Sequence, residues 1–198
     1  MTARASGTLV GIFVGGQSRR MGGVAKGALP APGGERSLVE RLLLVARTAP
    51  PPVRVVLVGQ ATAYEQLGLP CLADEPSGIG PIGGLAALLR QARAELSQRV
   101  VALACDLPYV DAELLQRLCS HDLHAAAVAP RPDGIWQPLF ARYQPERALP
   151  SLERVLSRGQ HGLFQVLNEL GPSASVLPLR DDDGLKLRDW DRPSDLIA

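Results

Sequence analysis

Near its start the chain passes from an apolar run, Leu9 to Val14, into a loop that holds four glycines and two arginines before Lys26. The apolar run predicts a short buried strand. Glycines allow the backbone to approach a ligand closely, and consecutive backbone amides in such a loop form an anion-binding concavity. Arg20 and Lys26 add positive charge. This segment therefore predicts a strand that leads into a loop for a polyphosphate group.

Two better-known phosphate loops do not fit this segment. A P-loop requires Gly directly before its Lys and Ser or Thr directly after it, whereas Ala25 and Gly27 flank Lys26 here. The dinucleotide fingerprint G-x-G-x-x-G is also absent, because the glycine spacing after Gly15 is wrong. The loop therefore belongs to another class of phosphate-binding segment.

The remaining sequence alternates strand-like and helix-like segments, which predicts a mostly parallel sheet covered by helices. A chain of 198 residues, 46% of them hydrophobic, can form one domain over residues 1–198, and no repeat or low-complexity linker divides it. The predicted strands after the first are Val53–Val58, Cys71–Ala73, Val100–Cys105, His124–Ala129, Trp136–Tyr143 and Ser175–Leu179. The predicted helices are one capped by Ser37 and Glu40, one near Ala61–Leu67, one from Pro81 towards Leu96, and those at Ala112–Leu118, Pro145–Leu156 and Leu163–Leu170.

Charge and cysteine usage limit the possible partners. The net charge is +1, so it gives no argument for a nucleic-acid or membrane partner, and an anion site has to be local. The N-terminus lacks the apolar core of a signal peptide, and no apolar run reaches the length of a membrane helix. Three widely spaced cysteines favour reduced thiols in the cytoplasm. Among the histidines, His121 and His124 form one possible metal-binding pair.

An acidic residue follows the most apolar strand. Val100–Cys105 is a continuous apolar run, which is typical of a central strand buried on both faces, and Asp106 comes directly after it. Ligands of open α/β sheets bind at this carboxyl edge, and an Asp there supplies hard oxygen for Mg²⁺. The alternative is that Asp106 caps the next helix, but Asp111 is better placed to cap Ala112–Leu118.

A second glycine-rich segment follows Asp74. Gly80 and Pro81 predict a turn into a helix, since Pro suits the first helical position. Gly83 and Gly84 lack side chains, so a flat group could rest on the backbone there. The alternative is that these two glycines serve close packing in a tight loop-to-helix turn.

The last acidic residues permit two interpretations. Asp189 and Asp191 alternate, so they share one face of an extended segment. Asp191 precedes Pro193 by two residues and fits a helix N-cap, but it also fits a metal or nucleotide contact. The run Asp181–Asp183 predicts a solvated turn rather than a metal site.

Three motifs, at the start, middle and end of the chain, together resemble the MobA-like nucleotidyltransferase family, which includes the molybdenum cofactor guanylyltransferases. The first, G-G-x-S-x-R-M-G up to Lys26, is similar to the family signature, which reads roughly L-A-G-G-x-S-x-R-M-G-x-x-K, and has Val14 where the family usually has Ala. The others are C-D-x-P-Y at 105–109 and the tail at 187–196. The resemblance implies a Rossmann-like three-layer α/β/α fold of the nucleotidyltransferase type.

The family resemblance also implies a reaction and a set of site residues. The expected reaction transfers GMP from GTP to molybdopterin that carries molybdenum and releases pyrophosphate, with Mg²⁺ as cofactor. It implies transient contact with molybdoenzymes or other cofactor-biosynthesis proteins, and no nucleic-acid or membrane partner. The expected catalytic residues are Arg20, Lys26 and Asp106, and the expected metal ligands are Asp106 and Asp191. The nucleotide-binding residues implied are Val14, Gly15, Gly16, Ser18, Gly22, Lys26, Asp74, Gly80, Pro81 and Asp106.

Two other functions stay open at the level of sequence. One is the same chemistry with CTP, as in molybdopterin cytidylyltransferases, which the alternating Asp189 and Asp191 favour slightly. The other is a catalytically silent nucleotide-binding adaptor for molybdoenzyme maturation. Trp136, Gln137 and Arg192 replace residues that are usual in the family, whereas the retained Arg20, Lys26 and Asp106 argue for an enzyme.

Overall fold

Seven strands and six α-helices alternate along the described part of the chain, which is residues 7–15, 25–60 and 62–190 of the computed structural model. The strands are β1 (Thr8–Phe13), β2 (Val53–Val58), β3 (Cys71–Leu72), β4 (Arg99–Ala104), β5 (Ala127–Ala129), β6 (Phe140–Tyr143) and β7 (Ala174–Val176). The helices are α1 (Leu38–Ala46), α2 (Pro81–Ala94), α3 (Ala112–Ser120), α4 (Pro145–Ser157), α5 (Leu163–Leu170) and α6 (Asp183–Lys186).

The strands form one sheet in the order β3-β2-β1-β4-β6-β5-β7. Neighbouring strands are parallel except around β6, which runs antiparallel to β4 and β5. The predicted mostly parallel sheet is therefore confirmed. In the register of the central strands, Phe13 lies opposite both Val58 and Ala104, so β1, β2 and β4 end together at one edge.

Helices cover both faces of the sheet, because the side chains of a strand alternate between its two sides. On one side Leu9 and Phe13 of β1 pack in a cluster with α2, α4 and α5. On the other side Val10 and Ile12 pack in a cluster with α1 and α3. These two cores confirm the predicted three-layer α/β/α fold. Whether all 198 residues form one domain stays a prediction.

Local sequence signals set the starts of two helices as predicted. At α1, the Ser37 hydroxyl accepts a hydrogen bond from the Glu40 amide (3.3 Å), and the Glu40 carboxylate accepts one from the Ser37 amide (2.8 Å). At α3, the Asp111 carboxylate accepts a hydrogen bond from the Leu114 amide (2.9 Å). Each side chain satisfies a backbone donor at the first turn that has no partner within the helix. No helix in the described ranges is long and apolar enough to cross a membrane.

Four predicted strands are shorter in the structure, two of them being β3, which ends at Leu72, and β7, which covers only Ala174–Val176. Residues 136–139 form a turn instead of the first half of β6, because Gln137 donates to the Pro130 carbonyl (3.0 Å) and its own carbonyl accepts from Phe140 (3.1 Å). Pro138 also has no amide to contribute to a strand pairing. The predicted strand at His124 begins only at Ala127. The predicted helix near Ala61–Leu67 is a 3-10 helix over Thr62–Leu67.

The prediction of a solvated turn at Asp181–Asp183 is wrong for its last residue. Asp181 and Asp182 are exposed, but Asp183 is completely buried at the start of α6. Arg117 of α3 donates to the Asp183 carboxylate at 2.7 Å, and the Arg180 amide donates to the same oxygen at 2.7 Å. Burial opposes ionisation of this carboxyl, but the hydrogen bonds outweigh burial and lower its pKa.

Candidate active site

The candidate site lies at the edge of the sheet where β1, β2 and β4 end. Val14 leaves β1 there, and its amide donates to the Val58 carbonyl at 3.0 Å. Cys105 leaves β4 at the same edge, and its amide donates to the Phe13 carbonyl at 3.1 Å. Loops after parallel strands meet at this edge, which is where open α/β sheets bind ligands.

Two of the predicted catalytic side chains meet at this edge. The Lys26 ammonium lies 3.1 Å from a carboxylate oxygen of Asp106, and the two side chains are 16% and 23% exposed. Lys26 opens a 3-10 turn over Lys26–Ala28, and Asp106 stands two residues beyond β4. The pair therefore joins the glycine-rich loop to the central strand, and it combines a cation for phosphate oxygens with a carboxylate.

Asp106 fits a metal ion that arrives with a nucleotide. Mg²⁺ usually takes one or two carboxylates from a protein and completes its shell with phosphates and water. No group of three or more His, Cys, Asp or Glu in residues 7–15, 25–60 and 62–190 could hold a metal by itself. The His121/His124 alternative therefore gains no support. The predicted ligand Asp191 lies outside the described residues.

Gly59, which was not predicted as a site residue, shapes the corner of the site beside Gly15. A Cβ added to Gly59 would lie 2.8 Å from the Gly15 Cα, and Gly59 has a φ of +102°, which favours glycine. The loops after β1 and β2 can therefore cross only with glycine at this point. The sequence feature that could have identified Gly59 as a site residue is its position directly after the β-branched strand Val53–Val58.

Asp74 faces the same corner. One of its carboxylate oxygens lies 3.9 Å from the Cβ position of Gly59 and 2.9 Å from that of Gly84 in α2. Burial raises the pKa of this half-buried carboxyl. The structure thus brings together Gly15, Gly59 and Asp74, and the Asp74 carboxylate can accept hydrogen bonds from the edge of a flat base placed there.

The glycines of the second glycine-rich segment have two different roles. Gly80, with φ +82°, precedes Pro81 at the first position of α2, as predicted. Gly83 and Gly84 are buried, and added Cβ atoms would meet the Pro76 carbonyl oxygen at 2.2 Å and Val58 Cγ1 at 2.6 Å. The expectation that a flat group could rest on the backbone at Gly83 and Gly84 is therefore wrong. These two glycines allow close packing at the start of α2, which was the alternative.

Known proteins with related sequences agree with this geometry. Residues 10–174 match the MobA-like NTP transferase domain family. The chain belongs to this family.

Individual members resemble the chain over most of its length. The probable molybdenum cofactor guanylyltransferase of Opitutus terrae is 30% identical, over 98% of this chain and 96% of that protein. The molybdenum cofactor guanylyltransferase of Pseudomonas putida is 34% identical, over 79% of this chain and 80% of that protein. The crystal structure of molybdopterin-guanine dinucleotide biosynthesis protein A from Archaeoglobus fulgidus has a TM-score of 0.74 and 25% identity, over 96% and 95% of the two chains. The predicted family and nucleotidyltransferase fold are thereby confirmed.

Several residues that the MobA-like family resemblance implied cannot be placed. Gly16, Ser18, Arg20 and Gly22 lie outside the described residues, so their roles stay predictions. Val14 is buried and its amide is engaged by β2, so this amide holds the loop and does not face a ligand.

Two buried polar side chains, those of Tyr64 and Cys105, lie near the Lys26 turn. A Cβ on Gly27 would lie 2.7 Å from the Tyr64 hydroxyl and 2.4 Å from Val39 Cγ2, so a larger residue here would displace these side chains. Burial raises the pKa of Tyr64 to about 12. Burial, together with the charge of Asp106, raises the pKa of Cys105 to about 12. Both groups are neutral near pH 7, and neither is a base or a thiolate nucleophile in this MobA-like site.

The loop before β6 borders the site. Leu139 accepts a hydrogen bond from the Ala104 amide at 2.7 Å, which places residues 136–139 beside the end of β4. Trp136 is buried, its indole donates to Asn168 at 3.0 Å, and the Arg131 guanidinium stacks over its ring at 4.9 Å. Trp136 therefore stabilises this loop and does not present its ring to an acceptor.

Proposed function

We propose that this chain is a molybdenum cofactor guanylyltransferase, which transfers GMP from GTP to the phosphate of molybdenum-loaded molybdopterin and releases pyrophosphate. The observation that carries the proposal is the Lys26–Asp106 pair, 3.1 Å apart, at the sheet edge of a MobA-like fold. The names of the relatives from Opitutus terrae and Pseudomonas putida support GTP as the donor.

The proposed reaction needs charge neutralisation more than proton transfer. An oxygen of the acceptor phosphate attacks the α-phosphorus of GTP, and a new P–O–P linkage forms. The bond from the α-phosphorus to the bridging oxygen breaks, and pyrophosphate leaves with the electron pair. The attacking oxygen is anionic at neutral pH, so no protein base is required. The neutral states of Tyr64 and Cys105 agree with this mechanism.

Lys26 and Asp106 have complementary roles in this proposal. The Lys26 ammonium has three donors, so it can contact a phosphate oxygen while it stays paired with Asp106. It thereby offsets the charge that builds on the phosphates in the transition state. Asp106 would hold Mg²⁺, with Asp191 as a further candidate ligand. When bound, Mg²⁺ would neutralise charge on the phosphate groups.

Base choice is proposed to depend on Asp74. Guanine presents two neighbouring donors on its pairing edge, N1–H and the N2 amino group, and one carboxylate can accept from both. Cytosine presents the N4 amino group next to an acceptor nitrogen, so the carboxylate would oppose a lone pair. The corner formed by Gly15, Gly59 and Asp74 supports guanine.

The proposal includes the expected cellular setting, which is the cytoplasm. It also includes transient contact with molybdoenzymes or other cofactor-biosynthesis proteins, as the family resemblance implies. The catalytically silent adaptor is disfavoured, because Lys26 and Asp106 retain a geometry suited to phosphate and metal.

The decisive experiment measures pyrophosphate release with each of the four NTPs, with and without molybdenum-loaded molybdopterin, over a range of Mg²⁺ concentrations. We expect release with GTP and acceptor, and we expect Asp106→Asn to lower the rate and to need more Mg²⁺ for half-maximal rate. Asp181→Asn, at an exposed carboxylate, is the matched control and should behave like the natural protein. A higher rate with CTP would promote the cytidylyltransferase, and no release with any NTP would refute the proposal.

A further inference from the structure

Trp190 connects the C-terminal segment to the site. Its backbone amide donates a hydrogen bond to the carbonyl oxygen of Asp106 at 2.9 Å, although 84 positions separate the two residues in sequence (190 − 106). Its side chain is 4% exposed. After α6 the chain therefore returns to the edge of the sheet, where it is hydrogen-bonded to Asp106, the candidate metal ligand.

The Trp190 ring also contacts the segment that follows Lys26. It packs with buried Ala31 and Leu38, and with the partly buried Leu29 and Tyr109. We call these five residues the C-terminal cluster. The Leu29 amide donates to the Lys26 carbonyl at 3.0 Å, so the cluster begins at the end of the Lys26 turn.

The same ring reaches the segment that follows Asp106. Tyr109 stands three positions after Asp106 and meets the Trp190 ring edge-on, with ring centroids 6.2 Å apart and planes at 84°. Edge-to-face aromatic pairs of this kind stabilise beyond the area they bury. Trp190 thus contacts both segments that deliver the Lys26–Asp106 pair.

Ionic contacts with α3 anchor the C-terminal segment. Buried Asp183 accepts from Arg117 at 2.7 Å, and a second nitrogen of Arg117 donates to the Pro178 carbonyl at 2.7 Å. Lys186 lies 3.0 Å from Asp111, which caps α3. Since α3 begins just after the Asp106 loop, these contacts hold the segment against the same part of the fold that Trp190 reaches.

We infer that Trp190 is a positioning residue, which holds the Lys26 turn and the Asp106 loop at the separation that the Lys26–Asp106 pair requires. The inference rests on the proposed function, because it assigns to Trp190 an effect on that reaction. Misplacement of reacting groups by about 1 Å, even from a distant substitution, can lower a rate by about 10²-fold. Loss of the ring would remove the side chain that contacts both segments.

The experiment compares Trp190→Ala and Trp190→Phe with Leu170→Ala, a buried leucine of α5 in the core on the other side of the sheet. The first readouts are the melting temperature and the separate values of kcat and KM for GTP, each scaled to the folded fraction. Trp190→Ala should lower kcat by about 10²-fold. Trp190→Phe should restore kcat to within about fivefold, because the indole N–H makes no hydrogen bond in the described part of the chain and the phenyl ring retains the apolar contact.

Leu170→Ala separates positioning from stability. It should lower the melting temperature while kcat per folded molecule stays within about threefold of the natural protein, because it lies away from the pair. If Trp190→Ala loses no more kcat than Leu170→Ala, the inference is wrong. If the natural protein releases no pyrophosphate with any NTP, the proposed function fails instead, so the two failures are distinguishable.

A measurement of binding covers the case in which Trp190→Ala does not fold. The sequence contains two tryptophans, so Trp136→Phe leaves Trp190 as the one fluorophore of its type. Addition of GTP and Mg²⁺ should shift its emission, since the ring contacts the segments of both Lys26 and Asp106. Unchanged emission at a nucleotide concentration that calorimetry shows to be saturating would overturn the inference.

Discussion

Substitution of Gly84 by Ala should destabilise the protein, although the intrinsic preference of a helix interior favours the opposite result. Gly84 lies within α2, where Ala is more favourable than Gly by about 0.8–1.0 kcal/mol. The new Cβ would stand 2.6 Å from Val58 Cγ1, 2.9 Å from an Asp74 oxygen and 3.0 Å from the Phe13 ring. Real Cβ atoms do not approach other atoms so closely, so at least one neighbour must move.

The neighbours decide the size of the effect. Val58 is 1% exposed in the central part of the sheet and branched at Cβ, so it has little freedom to rotate away. Overpacking of this kind costs about 1–3 kcal/mol. After the gain in helix propensity is subtracted, we expect a net loss of up to about 2 kcal/mol. A change of this size lowers the melting temperature of a chain this long by up to about 8 °C.

The assay is thermal unfolding of Gly84→Ala beside Gly184→Ala. Gly184 is also helical, but a Cβ there meets nothing within 4 Å, so the control measures helix propensity alone and should be neutral or stabilising. Calorimetric titration with GTP adds a second readout, because displacement of Asp74 should weaken nucleotide binding. A Gly84→Ala protein as stable as its control would refute the packing argument.

Three further predictions concern the charged groups. Lys26→Ala should lower turnover by about 10²-fold or more with little change in folding, and a loss below about threefold would remove Lys26 from catalysis. Asp74→Asn should weaken GTP binding relative to CTP by between about 5- and 150-fold, the equivalent of about 1–3 kcal/mol, and an unchanged ratio in calorimetric titrations would contradict our account of base choice. Asp183 has a lowered pKa in the folded state, so its stabilisation is present above the ordinary Asp pKa and is lost as pH falls through the folded value. Asp183→Asn should therefore lower the urea midpoint at pH 7. On acidification to about pH 3, the variant should lose less further stability than the natural protein, and an equal loss in the two proteins would contradict this reasoning.

Sequence reasoning identified the strands that carry the site. The run Val100–Cys105 is apolar at every position, which is typical of a strand buried on both faces, so we expected the acid directly after it at the sheet edge. Gly15 and Lys26 were predicted from an equally local signal, the glycine-rich loop after β1. In both places the residues that form the site lie within a short stretch of the sequence.

Contacts between distant residues were not predicted. Nothing near Lys26 indicates its partner, because Asp106 lies 80 positions away and meets it only after β1 and β4 pair. Asp183 looked like one of three solvated carboxylates, and Arg117, which makes its burial possible, belongs to a different helix. Trp190 was overlooked between two acids that drew the functional interpretation. A large apolar ring in a polar stretch was the signal that could have revealed it.

The position of β1 between β2 and β4 has a consequence for synthesis of the chain on the ribosome. The strand made first gains its second neighbour only after Arg99 and the rest of β4 have been added. At about 5–20 residues per second, this takes on the order of 5 to 18 s. Throughout that interval one edge of the apolar strand Thr8–Phe13 stays open on the nascent chain, and the Lys26 ammonium has no Asp106 to meet. The nascent protein is therefore most exposed to aggregation, and to chaperone binding, before residue 104 leaves the ribosomal tunnel.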